Sequence, residues 1–203
     1  LAEEIRGAGG MCDTVRANAT DDADIAHMVA EVCEGGTLDI LVNNAGPKIM
    51  SAPFDKIAWS DMATAFDGIV GATFRVTQAC LPALKKAHGR VVNILTSAAL
   101  GRTAHNWLPY VTAKGALLAM SKNLAQELGP SGVSVNMVSP SLVDTDLVAG
   151  VPDKIRQMMV ARTPLRRLAT VEDVAGAVLM LVSPYASFIT GENLLVTGGD
   201  IML

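Results

Sequence analysis

The stretch that decides the fold is Leu38-Asp-Ile-Leu-Val-Asn-Asn-Ala-Gly46. Its first five residues form a short apolar run that suits a buried β-strand. The four residues that follow suit a tight turn that a ligand can approach closely. Three further apolar runs end in a similar way: Arg90-Val-Val-Asn-Ile-Leu95 before Thr96-Ser97, Val133-Ser-Val-Asn-Met-Val138 before Ser139-Pro-Ser141, and Asn193–Val196 before Thr197-Gly-Gly199.

Helical patterns separate these strands, at about residues 20–34, 57–87, 109–128, 153–161 and 171–182. The second pattern contains Gly68 and Gly71, where we expect it to break. Residues 11–16 are compatible with a further short strand. Continuous apolar strands that alternate with helices indicate a parallel sheet covered by helices on both faces. We therefore predict an α/β fold in which residues 1–203 form one domain.

Composition and charge exclude several classes of protein. Half of the 203 residues are hydrophobic and only 18% are charged, which predicts heavy burial and apolar contacts between subunits. The formal net charge of −4 argues against nucleic acid as the main partner. Because no apolar run approaches the roughly 18 residues that a membrane-spanning helix needs, we expect no membrane partner.

The cysteines and histidines indicate neither disulfides nor a metal site. Cys12, Cys33 and Cys80 are odd in number and lack the spacing of a disulfide framework, so we expect reduced thiols and a cytoplasmic protein. The three histidines are scattered without metal-ligand spacing.

The segment Tyr110-Val-Thr-Ala-Lys114 is the candidate for acid–base chemistry. In a helix, residues four apart lie on the same face, so the phenol and the ammonium are neighbours. An adjacent ammonium favours the phenolate and lowers the pKa of a tyrosine towards the range where a general acid or base works. By itself such a pair also describes ordinary neighbours on a helix surface.

Ser97 lies at the end of a predicted strand, thirteen residues before Tyr110. A loop of that length returns the helix start to the strand end, so Ser97, Tyr110 and Lys114 can face one point. These groups suit the interconversion of a ketone and an alcohol. Tyr110 exchanges the proton, Lys114 lowers its pKa and can hold a cofactor ribose, and Ser97 donates a hydrogen bond to the substrate oxygen. Because side chains do not carry hydride, a bound cofactor has to supply it.

Five segments together resemble the short-chain dehydrogenase/reductase family of the classical type. Besides the stretch 38–46 and the strand that leads to Ser97, they are Tyr110-Val-Thr-Ala-Lys114, Val135-Asn-Met-Val-Ser-Pro140 and Thr190-Gly-Glu-Asn-Leu-Leu-Val-Thr-Gly-Gly199. They follow the family's order and spacing over nearly the whole chain. The resemblance implies a Rossmann-type doubly wound parallel sheet in three α/β/α layers, NAD(P)-dependent oxidoreduction, and a catalytic triad of Ser97, Tyr110 and Lys114.

The resemblance also implies a set of cofactor contacts, with no preference between NAD and NADP. Asn43, Ala45 and Gly46 would line the adenine-ribose side, although an equal alternative for Asn43 is to tie neighbouring strands together. Tyr110 and Lys114 would bind the cofactor as well as act in catalysis. The remaining contacts would be Val143 and Thr145 at the nicotinamide carboxamide and Asn18 at the adenine.

The chain departs from the family pattern in two respects that concern the site. The glycine-rich turn Thr-Gly-x-x-x-Gly-x-Gly and the first two strands have no counterpart, so the N-terminal β-α-β segment is missing from this sequence. We expect that segment to precede Leu1 in the protein. Many family members carry an asparagine in the helix before the serine strand, and none occurs between Trp59 and Phe74. Depending on the alignment, Gly68 or Ile69 stands in its place.

The leading hypothesis is an enzyme that interconverts a ketone and a secondary alcohol with NAD or NADP and resembles 3-oxoacyl-carrier-protein reductases. A polyol, sugar or hydroxy acid is the alternative substrate. A non-catalytic binding or regulatory protein on the same fold is the alternative from another class. The apolar composition and the apolar end Ile201-Met-Leu203 predict a homo-oligomer, and the family resemblance favours a tetramer.

Overall fold

Four parallel strands form the sheet in the order β1-β2-β3-β4. The computed structural model describes residues 1–101, 104–143 and 153–202. The strands are β1 (Ile40–Asn43), β2 (Arg90–Ile94), β3 (Ser134–Pro140) and β4 (Asn193–Val196). Because every neighbouring pair is parallel, all four carboxyl ends lie at the same edge of the sheet. The prediction of a parallel sheet with helical crossovers is confirmed.

Seven α-helices lie in the part of the chain that the structure describes. They are α1 (Ala2–Gly7), α2 (Asp22–Val32), α3 (Trp59–Phe66), α4 (Ala72–Ala87), α5 (Leu108–Leu128), α6 (Asp153–Arg162) and α7 (Val171–Val182). A π-helical turn at Asp67–Gly71 separates α3 from α4, where the glycines predicted a break. Within the described ranges, no helix is long and apolar enough to cross a membrane.

The two faces of the sheet are covered by different helices. Successive residues of a strand point to opposite faces, so Val91 and Val92 enter separate cores. Val91 packs with side chains of α2, α4 and α5, whereas Val92 packs with Ala177 and Leu181 of α7. The sheet therefore has helices on both faces, as the apolar strands predicted.

Strand β1 is less buried than its apolar sequence predicted. It lies at the edge of the described sheet, and Ile40 and Val42 are each 42% exposed. These side chains share the face on which α7 packs, but the main contacts of α7 with the sheet are with β2, β3 and β4. Residues 11–16 form no strand, because no described strand pairs with them.

Candidate active site

The polar strand ends meet at the carboxyl edge of the sheet. Asn43 pairs with Asn93 of β2, so the turn after β1 lies beside the end of β2. The Leu95 N–H donates to the Val138 carbonyl over 2.8 Å, which continues the contact with β3 beyond the last residue of β2. In open parallel sheets, this edge is where ligands bind.

Ser97 is held between the end of β2 and helix α5. The Thr96 hydroxyl accepts a hydrogen bond from the Ala98 N–H over 3.3 Å and begins a short turn at Ser97–Ala99. This turn contacts α5, and Ser97 is buried. The predicted return of the helix start to the strand end is therefore observed.

Tyr110 and Lys114 lie one turn apart at the start of α5. Pro109 occupies the first turn of this helix, where the missing N–H of a proline costs no hydrogen bond. The Lys114 ammonium nitrogen lies 5.9 Å from the centroid of the Tyr110 ring. It donates to the Ile94 carbonyl oxygen at 2.6 Å, which ties α5 to the end of β2. Trp107 packs edge-on against Tyr110, with ring centroids 5.9 Å apart.

The electrostatics of this pair differ from the sequence-based expectation. Burial raises the pKa of the Tyr110 phenol, and a hydrogen bond with the Thr96 side chain opposes that rise in part. The expectation that Lys114 would lower this pKa was wrong for the net direction, because the loss of water around Tyr110 is the larger effect. Burial also lowers the pKa of the Lys114 ammonium to about 8, which places it near neutrality.

Thr96 is the site residue that sequence reasoning missed. Its hydroxyl caps the Ser97–Ala99 turn, and its side chain acts to lower the pKa of the Tyr110 phenol. The available signal was a second hydroxyl immediately before Ser97 at the same strand end.

Asn43 ties the sheet to the helices around it. Its amide nitrogen donates to Asn93 Oδ1 at 2.9 Å and to Thr77 Oγ1 at 3.1 Å. Asn93 in turn donates to Ser121 Oγ at 2.8 Å in the buried core. The structure shows this tying role, and a direct cofactor contact by Asn43 stays a prediction.

Ala45, Gly46, Asn18 and Val143 are the other predicted cofactor residues that the structure describes. Ala45 and Gly46 are exposed, and a Cβ at Gly46 would meet no atom within 4 Å. Asn18 turns its side-chain oxygen into its own loop, where it accepts from the Thr20 N–H at 3.1 Å and from the Thr20 hydroxyl at 2.9 Å. Val143 forms a parallel bridge with Ala169. Thr145 lies outside the described residues.

The donor set fits a ligand rich in hydroxyl groups. An ammonium carries three N–H donors, so the bond from Lys114 to Ile94 leaves donors for the hydroxyls of a ribose. The exposed turn at Ala45 and Gly46 offers a flat surface on the same edge of the sheet. Among the described residues, no group of three or more His, Cys, Asp and Glu side chains could hold a metal ion.

A pocket of about 280 Å³ opens beside Tyr110. Its walls are the loop 47–50, Asp61 and Thr64 of α3, Ile69 and the start of α5. Ile69, one of the two residues that stand where many relatives carry an asparagine, is 1% exposed and packs in the core beneath the pocket. The site therefore has an apolar wall at this position.

Comparison with known proteins identifies the class to which this fold and site belong. Residues 1–200 match the family model described as enoyl-(acyl carrier protein) reductase. The chain is 33% identical over 206 residues to the 7alpha-hydroxysteroid dehydrogenase of Escherichia coli (strain K12), covering 99% of this chain and 79% of that protein. It is 34% identical over 192 residues to the 3-oxoacyl-(acyl-carrier-protein) reductase FabG of the same organism, covering 92% of this chain and 76% of that protein.

A solved structure shows the same similarity in three dimensions. A 7 alpha-hydroxysteroid dehydrogenase in complex with NADH and 7-oxo glycochenodeoxycholic acid superposes with a TM-score of 0.91 at 32% identity, over 98% of this chain and 78% of that chain. The chain therefore belongs to the short-chain dehydrogenase/reductase family and has its Rossmann-type fold. It is an oxidoreductase that acts on CH–OH and C=O groups, so the alternative of a non-catalytic binding protein is not adopted.

Proposed function

We propose that this protein interconverts a ketone and a secondary alcohol with NAD or NADP, and that Ser97, Tyr110 and Lys114 carry out the reaction as parts of one domain. The observation that carries the assignment is the buried ammonium of Lys114, 5.9 Å from the Tyr110 ring. A charge held out of water costs folding free energy, and groups with strongly shifted pKa values cluster at functional sites.

Eight residues would hold the cofactor. They are Asn18, Asn43, Ala45, Gly46, Tyr110, Lys114, Val143 and Thr145. When bound, NAD(P) supplies or accepts the hydride. The free donors of Lys114 and the exposed turn after β1 support this assignment.

Tyr110 is the proton donor in the direction of reduction. Its raised pKa keeps the phenol protonated at neutral pH, so a proton is ready for the carbonyl oxygen. Ser97 donates a hydrogen bond to the same oxygen, where negative charge develops. The Lys114 ammonium then stabilises the phenolate that remains after the proton has left. In the direction of alcohol oxidation, the phenolate accepts the proton, and that direction is favoured at alkaline pH.

The pocket beside Tyr110 supports a substrate with an apolar body. Most of its lining is apolar, with Pro47, Ile49, Met50 and Ile69 among the contributors. Relatives named for hydroxysteroid and 3-oxoacyl substrates are consistent with such a body. A sugar or polyol fits these walls less well, because its hydroxyls would lose water without gaining hydrogen bonds.

The experiment is a panel of ketones and alcohols, assayed with NADH, NADPH and their oxidised forms. We expect turnover of at least one apolar carbonyl compound by the wild type. Tyr110→Phe removes the proton donor, and Tyr185→Phe is the matched control, because Tyr185 is the only other tyrosine and is 97% exposed. Absence of turnover and of cofactor binding in the wild type would contradict the proposed function.

We also propose that the protein is a cytoplasmic homotetramer. Large apolar side chains stand out from α7 and the segment after it: Leu179, Met180, Tyr185 and Phe188 are between 66% and 103% exposed. Contact between subunits would remove these surfaces from water. The free thiols of Cys12, Cys33 and Cys80 support a reducing compartment. Light scattering at micromolar concentration tests the assembly, and a monomer mass would contradict it.

A further inference from the structure

The pocket beside Tyr110 is lined by a loop that is tied to the protein just beyond its C-terminal end. Residues 47–50 follow the turn after β1, and shortly beyond them the Ala52 N–H donates to the Asn106 carbonyl over 3.0 Å. This bond joins the loop to the segment that leads into α5. The pocket of about 280 Å³ is therefore bounded by tied segments, and its size suits a compact apolar group.

The charges on the wall of this pocket are not equivalent. Asp61 directs its carboxylate to the start of α3, where Oδ2 accepts from the Ala58 N–H at 2.8 Å. The N-terminal end of a helix favours a negative charge, so this carboxylate is already compensated. Lys48 is the cation among the lining residues, and in the described part of the chain no carboxylate forms an ion pair with it.

We propose that the substrate is a compact apolar ketone or alcohol that carries a carboxylate, and that Lys48 pairs with this carboxylate. This inference rests on the proposed function, because it places the reacting carbon at Tyr110 and the rest of the substrate in the pocket. The apolar walls bind the body of the molecule, and Lys48 fixes its far end. A cation on the wall of an apolar pocket selects anionic substrates through orientation as well as affinity.

The experiment compares a keto acid with its neutral ester. The substrates are 4-oxocyclohexanecarboxylate and its methyl ester, which share the ring and the reacting carbonyl. The enzymes are the wild type, Lys48→Gln, and Lys56→Gln as the matched control. Lys56 is exposed, lies 3.5 Å from Asp55, does not line the pocket, and its substitution changes the net charge by the same amount.

We expect the wild type to prefer the acid and Lys48→Gln to lose that preference. Loss of this ion pair lowers kcat/KM for the acid by about tenfold, mainly through KM, and leaves kcat/KM for the ester within about twofold of the wild-type value. Lys56→Gln should behave as the wild type with both substrates. Folding of each variant is checked by its unfolding midpoint.

Two results would overturn the assignment of Lys48. Equal use of acid and ester by the wild type would show that the pocket does not select an anion. If Lys48→Gln lowered kcat/KM by the same factor for the acid and for the ester, Lys48 would not act on the carboxylate. In either case turnover of the ester would leave the proposed function intact, whereas an enzyme inactive on every carbonyl compound would contradict both.

Discussion

The Lys114 ammonium lies 2.6 Å from the carbonyl oxygen of Ile94, and this hydrogen bond joins helix α5 to the central strand that leads to Ser97. The bond fixes where α5 begins relative to the end of β2. It also holds a charged group in a place where it is 6% exposed. The bond therefore helps to position the start of the helix that carries Tyr110. The buried charge of Lys114, in contrast, lowers the stability of the fold.

Replacement of Lys114 by methionine should stabilise the fold and abolish activity. The pKa of Lys114 is about 8 in the folded protein, against an ordinary value of 10.5. Below pH 8 both folded and unfolded chains carry the charge, so the full desolvation cost is present there. Between about 8 and 10.5 the folded protein loses this proton first, and the cost declines as pH rises.

Urea unfolding of wild type and Lys114→Met checks this expectation. At pH 7 the free energy of unfolding of the variant should exceed that of the wild type by about 1–3 kcal/mol, after allowance for the lost bond to Ile94. The gain should become smaller as the pH approaches 10. A variant that is less stable than the wild type at pH 7 would show that Lys114 contributes net stability.

Replacement of Thr96 by valine should slow the reaction without large changes in substrate binding. The Thr96 hydroxyl opposes the rise of the Tyr110 pKa. Without it, the pKa of Tyr110 rises further, so alcohol oxidation should require a higher pH. We expect kcat for oxidation to fall by about tenfold at pH 8, with KM nearly unchanged.

The pH dependence of kcat for alcohol oxidation separates an effect of Thr96 on the Tyr110 pKa from a merely structural role. Thr96→Ser keeps the hydroxyl and should restore the wild-type profile, whereas Thr96→Val should shift it to more alkaline pH. If valine and serine variants had the same profile, the hydrogen bond to Tyr110 would not be functional.

Replacement of Asn43 by leucine should destabilise the protein. The variant removes the donor to Asn93 Oδ1 at 2.9 Å, and Asn93 is fully buried. A buried acceptor without a partner costs about 1–3 kcal/mol. The midpoint of urea unfolding measures the loss, and Asn44→Leu is the control because Asn44 is exposed. A normal midpoint together with a large loss of cofactor affinity would instead assign Asn43 to the cofactor.

Local signals in the sequence were sufficient for most of the fold. Helix α7 spans the residues 171–182 that the helical pattern predicted, and Thr170 and Asp173 cap its start through reciprocal bonds of 3.3 and 2.8 Å. The π-helical turn at Asp67–Gly71 coincides with the two glycines that predicted a break. Likewise, the spacing of Tyr110 and Lys114 defined their shared helix face.

The remaining features depend on groups that are distant in sequence. Ile40 and Val42 are exposed on a strand at the edge of the described sheet, and no pattern within β1 reports this position. The tying role of Asn43 depends on Asn93, fifty residues away. The direction of the Tyr110 pKa depends on how much water the fold removes, whereas the sequence showed only the neighbouring ammonium.

The central claim is that Tyr110 exchanges the proton with the substrate oxygen, and turnover by Tyr110→Phe tests it most directly. Phenylalanine keeps the ring that packs against Trp107 and removes only the hydroxyl. We predict that kcat, measured at saturating cofactor, falls by about 10²–10⁴-fold, with a normal unfolding midpoint. Tyr185→Phe should retain wild-type turnover. If Tyr110→Phe kept turnover close to that of the wild type, the assignment of Tyr110 as the acid and base would be wrong.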